Sequence, residues 1–159
     1  MSPSAFTYDC IEFISLLNKY EVKWVIVGGE AVIYYGHLRL TGDVDFFYKN
    51  DKDNSEKLIN ALNEFWDQNI PGGIKINDLM ADNNIIQFGL PPNRIDLISE
   101  IEGVDFDEVW QNKVQEELDT KLGKLKVYYI GLRELIKNKS SVKRPKDLED
   151  LKFLKSIRK

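Results

Sequence analysis

Asp43 and Asp45, separated by one residue, are the pair of side chains best suited to chemistry in this sequence. If their segment is a strand, both project from one face, because residues two apart in a strand share a face. Carboxylates held that close repel each other unless a cation lies between them. Hard oxygen donors of this kind suit Mg²⁺. The alternative is that both side chains project into water at the start of a strand.

Asp96 offers a third carboxylate, from the short apolar segment Arg94–Ile98. Aspartate is depleted in strands, so strand propensity does not explain its presence there. We therefore expect Asp96 to lie near Asp43 and Asp45 on a neighbouring strand. The alternative is an ion pair between Asp96 and Arg94, or another basic residue, on an exposed face.

Gly28 and Gly29 follow the apolar segment Val22–Val27 and precede a predicted helix. Glycine lets the backbone approach a ligand closely, and the free N–H groups at the start of a helix attract an anion. This pattern indicates a phosphate-binding turn upstream of the two aspartates. Alone it is a weak signal, since glycine pairs also end strands for purely steric reasons.

The scarcity of cysteine and histidine excludes several kinds of site. Cys10 is the only cysteine, so the chain has no internal disulfide and no thiolate zinc cluster. His37 is the only histidine, which excludes two-histidine zinc motifs, and no Gly-x-Ser-x-Gly motif accompanies it for a serine triad. Acid–base or metal chemistry must therefore depend on the 26 aspartates and glutamates.

The composition, 43% apolar and 30% charged, is typical of a soluble protein, and we expect a single domain over residues 1–159. The longest apolar run, Ala31–Tyr35, is far shorter than the ~20 residues that cross a bilayer, so we expect no membrane association. Met1–Cys10 lacks the features of a secretory signal. Together with the lone cysteine, this favours a cytoplasmic location.

The net charge of −4 is unevenly distributed. Residues 1–120 contain nine Lys and Arg against 22 Asp and Glu, whereas residues 121–159 contain 13 against four. This basic C-terminal region, predicted to hold a strand and helices, can bind an anion such as a nucleotide or an RNA. Alternatively, its basic residues pack on the acidic body or pair with Asp147 and Asp150.

Hydrophobic periodicity and turn residues predict alternating helices and strands. Asp9 and Glu12 resemble a capping box that opens a first helix ending near Tyr20. We predict further helices over Glu30–Tyr35, Asn54–Trp66, Phe106–Asn112, Leu132–Lys139 and Pro145–Ile157. We predict strands over Val22–Val27, Asp43–Tyr48, Ile85–Leu90, Arg94–Ile98 and Leu125–Ile130, the third and fourth joined as a hairpin. The fold class is therefore α+β, with a mixed central sheet flanked by helices and with helices at the C-terminus.

Together these motifs resemble the nucleotidyltransferase-fold superfamily. The pattern Gly-Gly-x-Ala begins at Gly28, and Gly-x-x-Arg-x-Thr-x-Asp-x-Asp runs from Gly36 to Asp45. The chain is most similar to minimal bacterial nucleotidyltransferases, including relatives of type IV toxin–antitoxin toxins. The segments Ile95–Trp110 and Leu135–Leu151 are similar to their middle section and closing helices. The resemblance thus covers most of the chain.

The resemblance implies two Mg²⁺ ions at Asp43, Asp45 and Asp96, and a nucleoside triphosphate as substrate. The three aspartates would be catalytic and metal-binding, and Asp96 would also act as a base towards the acceptor. For the nucleotide, the resemblance implies contacts from Gly28, Gly29, Arg39, Thr41, Lys139 and Arg144. The reaction would transfer a nucleoside monophosphate to an acceptor hydroxyl by a two-metal mechanism.

The sequence does not identify the acceptor or any protein partner. An RNA, a protein or a small molecule can supply the hydroxyl, and a homo-oligomer or a cognate partner protein can help to hold it. The alternative function is a non-catalytic nucleotide-binding or toxin–antitoxin interaction module of the same fold. Glu30 departs from the superfamily, in which many members carry serine after the glycines.

Overall fold

The structure, a computed structural model, describes residues 6–142 and 144–158. Over these residues the chain forms seven α-helices and six strands. The helices are α1 (Tyr8–Lys19), α2 (Gly28–Tyr34), α3 (Lys52–Phe65), α4 (Ile76–Met80), α5 (Phe106–Gln111), α6 (Leu132–Ser141) and α7 (Pro145–Ile157). The strands are β1 (Trp24–Val27), β2 (Asp43–Tyr48), β3 (Ile85–Phe88), β4 (Arg94–Ile98), β5 (Val114–Thr120) and β6 (Gly123–Tyr129). The predicted α+β class is confirmed.

The six strands of the described residues form one mixed sheet in the order β3-β4-β2-β1-β6-β5. Strand β2 runs parallel to β4 and antiparallel to β1. In this register Asp45 of β2 is opposite both Asp96 of β4 and Val27 at the end of β1. The point where β1 turns into α2 therefore lies beside the predicted acidic site.

Helices cover both faces of the sheet. Consecutive residues of a strand point to opposite faces. Accordingly, Phe46 packs edge-on against Phe13 of α1, whereas Phe47 packs against Phe106 of α5. All four rings are buried, and burial of each such side chain stabilises the fold by roughly 1.5–3 kcal/mol. Asp45 shares the face of Phe47, so the predicted site lies on the face that α5 covers.

The first helix begins differently from the prediction, and the capping box at Asp9 and Glu12 is wrong. Helix α1 begins at Tyr8, and the hydroxyl of Thr7 accepts the backbone N–H of Cys10 at 3.3 Å. Asp9 lies instead in the first turn, where a carboxylate interacts favourably with the helix dipole. Thr and Asp both make good N-caps, so the sequence pattern alone does not choose between them.

The described helices are short. The longest, α3, has 14 residues, and its buried residues include Leu58, Ala61 and Leu62 at helical spacing. No helix in residues 6–142 and 144–158 is long and apolar enough to cross a membrane.

Candidate metal and nucleotide site

Three carboxylates meet where β2 and β4 run side by side. Asp43 and Asp45 lie on β2, and Asp96 lies opposite Asp45 on β4. One oxygen from each of them lies within 4.8 Å of an oxygen of each of the others. The period of the strand places the first two on one face, and the register of the parallel pair adds the third. We call this set of three aspartates the acidic cluster.

The carboxyl groups of the acidic cluster differ in their affinity for a proton. Burial, together with the charges of Asp43 and Asp96, raises the pKa of Asp45 to about 8. Burial also raises the pKa of Asp96. Burial acts in the same direction on Asp43, but hydrogen bonds from groups that include Arg94 and Thr41 outweigh it and lower its pKa. At neutral pH Asp43 is thus ionised, whereas Asp45 keeps a proton unless a cation binds.

Arg94 lies among these carboxylates, although the sequence motifs give it no role there. Its Nη2 donates to Oδ2 of Asp43 at 2.7 Å, and its Nε donates to Oδ1 of Asp96 at 3.0 Å. The amide of Gln87 donates to Oδ2 of Asp96 at 3.3 Å. The ion pair considered as an alternative to the site therefore exists within it. Its sequence signal is the position of Arg94 two residues before Asp96, on the same face of β4.

The donor set suits a divalent cation. Oδ1 of Asp45 is buried and has no hydrogen-bond partner among the described residues. A buried carboxylate oxygen without a partner is unfavourable, and a cation satisfies it. The donors grouped here are carboxylate oxygens, which favours a hard ion such as Mg²⁺ over zinc or copper. Asp43, Asp45 and Asp96 are thus the residues that can hold a metal ion.

Gly28 and Gly29 fix how closely the start of α2 approaches the acidic cluster. Gly28 has a φ of +68°, and a Cβ there would collide with Oδ2 of Asp45. A Cβ at Gly29 would lie 2.9 Å from Oγ1 of Thr41 and 3.4 Å from Nη2 of Arg39. Both positions therefore lie against other residues that the sequence assigns to the site.

Thr41 and Arg39 anchor the loop between α2 and β2 in different ways. The hydroxyl of Thr41 lies 3.1 Å from Oδ1 and 3.2 Å from the backbone carbonyl of Asp43, in donor geometry to both. Nη1 of Arg39 donates to Oδ2 of Asp150 in α7 at 2.6 Å. Thr41 thus contacts the acidic cluster directly, whereas the guanidinium of Arg39 is paired with α7.

Lys139 and Arg144 belong to a network of charges between α6 and α7. Nζ of Lys139 lies 2.8 Å from Oδ1 of Asp147 and 3.1 Å from Oδ2 of Asp150, and these side chains are at most 5% exposed. Nε of Arg144 donates to Oδ2 of Asp147 at 2.6 Å. Burial alone would raise the pKa of Asp147, but Arg144 and Lys139 outweigh it and lower the pKa to about 2. The pairing with Asp147 and Asp150, considered above as an alternative for the basic region, is therefore present.

Comparison with known protein families extends these observations to the whole chain. Residues 8–157 match the family described as "Nucleotidyltransferase of unknown function (DUF6036)". The chain belongs to this nucleotidyltransferase family. The match runs from α1 to the end of α7 and includes the acidic cluster. A comparison with curated proteins gives no match.

In this member of the nucleotidyltransferase family, an open cleft of about 790 Å³ starts at Gly28 and Asp45 and extends to residues of α5 and α6. Lys139 and Arg144 line the same cleft. Besides Asp45 and Asp147, five carboxylates line this cleft: Asp82, Glu100, Glu102, Asp105 and Glu108. We call these five residues the acidic wall. The cleft thus connects the predicted nucleotide-binding residues with a second, negatively charged surface.

Proposed function

We propose that the protein transfers a nucleoside monophosphate from a nucleoside triphosphate to an acceptor hydroxyl, using metal ions held by Asp43, Asp45 and Asp96. The convergence of these carboxylates, with a buried and unpartnered oxygen of Asp45 among the described residues, carries the proposal. Membership of a nucleotidyltransferase family supports it. Two Mg²⁺ ions bound there would neutralise charge on the attacking and leaving oxygens.

Asp96 is the residue that we assign as the base. The acceptor oxygen forms a bond to the α-phosphorus, the bond from that phosphorus to the bridging oxygen breaks, and pyrophosphate leaves. The proton of the acceptor hydroxyl passes to Asp96. Positioning and charge neutralisation supply most of the remaining acceleration, so the reaction needs no histidine or cysteine.

The residues around the acidic cluster are proposed to hold the triphosphate. Gly28 and Gly29 would let the backbone approach the phosphates, and the hydroxyl of Thr41 would position the loop. Arg39, Lys139 and Arg144 would offset the phosphate charge. Each of these three basic side chains has a carboxylate partner in α7. Such pairing orders the side chains in advance, which reduces the side-chain entropy lost on binding.

Thermal denaturation tests this function first. A nucleoside triphosphate with Mg²⁺ at about 100 times its Kd is expected to stabilise the folded protein by about 2.7 kcal/mol, which corresponds to a Tm increase of roughly 5–10 °C. EDTA or Asp43→Asn is expected to abolish this increase. Asp107→Asn, which removes an exposed carboxylate of α5, is the matched control and should keep it.

Transfer is measured next, with labelled nucleotides and cellular RNA, protein and small molecules as acceptors. Label transferred by the wild-type protein and not by Asp43→Asn supports the enzyme. Binding without transfer would identify a non-catalytic nucleotide-binding module instead. If none of the common nucleoside triphosphates raises the Tm with Mg²⁺, both functions are contradicted.

The acidic wall supports an acceptor that carries positive charge. Among the described residues, no Lys or Arg lies within ion-pair distance of Asp82, Glu100, Glu102 or Asp105, whereas Glu108 pairs with Lys137 at 2.7 Å. Unpaired carboxylates beside a cleft repel a polyanion and attract a cation. Of the three acceptor classes that the sequence leaves open, we therefore favour a cationic small molecule with a hydroxyl group over RNA.

The double variant Glu100→Gln with Glu102→Gln tests the charge of the acceptor. With amino alcohols and amino sugars as acceptors, we expect KM to rise about tenfold or more because two attractive charges are lost. The Tm increase with nucleotide and Mg²⁺ should not change. Glu21→Gln with Glu56→Gln removes the same charge outside the cleft and serves as control. Transfer to RNA, with no transfer to cationic acceptors, would contradict this part of the proposal.

A further inference from the structure

We infer that Arg94 is an internal counter-cation of the acidic cluster. A divalent ion must displace its guanidinium, and a bound triphosphate then accepts hydrogen bonds from the displaced group. This inference depends on the proposed function in one respect, that the acidic cluster binds a divalent ion. Its consequence is that metal ion and triphosphate bind cooperatively, and that Arg94 sets the strength of this coupling.

The guanidinium of Arg94 joins the two strands that carry the acidic cluster. Besides the bonds to Oδ2 of Asp43 and Oδ1 of Asp96, its Nη2 lies 3.3 Å from Oδ2 of Asp96. The planar fork of arginine suits such pairing with carboxylates. Arg94 thus uses oxygens of Asp43 and Asp96, whereas Oδ1 of Asp45 has no partner among the described residues.

The three residues of the acidic cluster are not equally accessible from the cleft. The residues that line it include Asp45 but neither Asp43 nor Asp96. The side chain of Arg94 is 31% exposed, more than those of Asp43 and Asp96. A cation that enters through the cleft therefore meets Asp45 first. To gain Oδ2 of Asp43 and the oxygens of Asp96, the cation must displace the guanidinium from them.

A guanidinium and a divalent ion repel each other and compete for the same oxygens, so each weakens the binding of the other. The competition lowers the affinity of the metal-free site for Mg²⁺. Once displaced, the partly exposed guanidinium lies close to the carboxylates beside which the triphosphate is proposed to bind. Phosphate oxygens are good acceptors for arginine, so a triphosphate offers the displaced group a new partner. The two ligands therefore favour each other's binding.

Isothermal titration calorimetry tests the competition with Mg²⁺, in the absence and presence of a non-hydrolysable triphosphate. We expect Arg94→Gln to bind Mg²⁺ alone about tenfold or more tightly than the wild-type protein. We expect the triphosphate to tighten Mg²⁺ binding in the wild-type protein and to do so much less in Arg94→Gln. The metal-free Tm should fall in the variant, because the carboxylates then lack their counter-cation. Equal or weaker binding of Mg²⁺ by Arg94→Gln would overturn the inference.

Lys137→Gln is the matched control, because it removes one positive charge beside the cleft that pairs with Glu108 and not with the acidic cluster. It should leave Mg²⁺ binding unchanged. Metal binding that does not depend on Arg94 contradicts this inference alone. Failure of both the wild-type protein and Arg94→Gln to bind Mg²⁺ or Mn²⁺ contradicts the proposed function as well.

A second measurement follows the wild-type protein and does not need Arg94→Gln, in case that variant does not fold. The Nε–H signal of Arg94 in a nitrogen–proton NMR spectrum, assigned through Arg94→Lys, reports the bond to Asp96. We expect saturating Mg²⁺ to shift this signal and to speed its exchange with water. A signal that Mg²⁺ leaves in place would show that the guanidinium stays on Asp96, which overturns the inference.

Discussion

The variant Asp45→Asn is expected to be more stable than the wild-type protein without metal, and to lose all stabilisation by Mg²⁺ with nucleotide. Asp45 is partly buried, and its Oδ1 is buried without a hydrogen-bond partner among the described residues. Asparagine keeps the shape of the side chain and cannot ionise, so it never carries the charge that repels Asp43 and Asp96 once Asp45 loses its proton. The same change removes a metal ligand, so transfer activity should fall by about a thousandfold or more.

The gain in stability depends on pH with a definite sign. The pKa of Asp45 is raised to about 8 in the folded protein, whereas an unfolded chain has an aspartate pKa of about 3.9. The folded state therefore binds this proton more tightly than the unfolded state. The wild-type protein consequently loses stability as the pH rises from about 4 through about 8. Asp45→Asn lacks this group, so its advantage grows over that interval and is largest above about pH 8.

Thermal denaturation in EDTA at about pH 5 and about pH 9 measures this difference. We expect the Tm of Asp45→Asn to exceed that of the wild-type protein by about 5 °C at the higher pH, at roughly 2–4 °C per kcal/mol. Asp107→Asn removes an exposed carboxylate and should show no such gain. If Asp45→Asn is less stable than the wild-type protein at both pH values, or still responds to Mg²⁺ with nucleotide, this interpretation of Asp45 is wrong.

The variant Gly28→Ala is expected to destabilise the fold and to abolish nucleotide-dependent stabilisation. At a φ of +68° an L-residue is strained, which costs about 1–3 kcal/mol. In addition, the Cβ of alanine at this position would collide with Oδ2 of Asp45, so either β2 or the start of α2 must shift. We therefore expect a total loss of about 3 kcal/mol or more in the free energy of unfolding.

Gly73→Ala separates the two effects, because Gly73 has a similar φ of +64° and a Cβ there would meet nothing within 4 Å. Urea denaturation should show a smaller loss of stability for Gly73→Ala than for Gly28→Ala. Thermal denaturation should show that only Gly28→Ala loses the response to nucleotide with Mg²⁺. Equal losses in urea, with the response retained in both variants, would mean that Gly28 does not control the geometry at Asp45.

The common face of Asp43 and Asp45 follows from the sequence because it depends on strand periodicity. A period of two places Asp43 and Asp45 on one face of β2. Asp96 is recognisable because a charged residue is rare inside a short apolar strand. The parallel register that puts Asp96 opposite Asp45 is a property of the whole sheet. Membership of the nucleotidyltransferase family is confirmed, whereas the link to toxin–antitoxin systems stays a prediction.

The sequence suggests Asp147 and Asp150 as partners of the basic C-terminal residues, but it does not show which side chain pairs with which, because that depends on how α7 packs. Lys139 and Arg39 both contact Asp150, which is more than one hundred residues from Arg39 along the chain. The ion pair between Arg94 and Asp43 likewise depends on how two strands pair, because Asp43 lies on β2 and Arg94 and Asp96 lie on β4. Sequence spacing indicates which residues share a face of an element, but not which rotamers they adopt or which element packs there.

Helix α4 and strand β5 were not predicted, and in each the local sequence explains why. Helix α4 has five residues, of which Leu79 alone is buried, so it lacks a periodic apolar stripe. Strand β5 lies at the edge of the sheet, and its partly buried residues alternate with Gln115, Glu117 and Asp119. The partly buried positions of β5 include Glu116, so its inward and outward residues do not alternate as apolar and polar in the sequence. Edge strands commonly carry such charges, which weakens the apolar signal on which strand prediction depends.

The most direct test of the account is a crystal structure with Mn²⁺ and a non-hydrolysable nucleoside triphosphate, with the metal located by anomalous scattering. We predict anomalous peaks at about 2.0–2.3 Å from carboxylate oxygens of Asp43 and Asp45, with phosphate oxygens completing the coordination beside Gly28. A bound nucleotide whose Mn²⁺ ions lie away from these carboxylates, or Mn²⁺ absent from the acidic cluster at saturating concentration, would contradict the account.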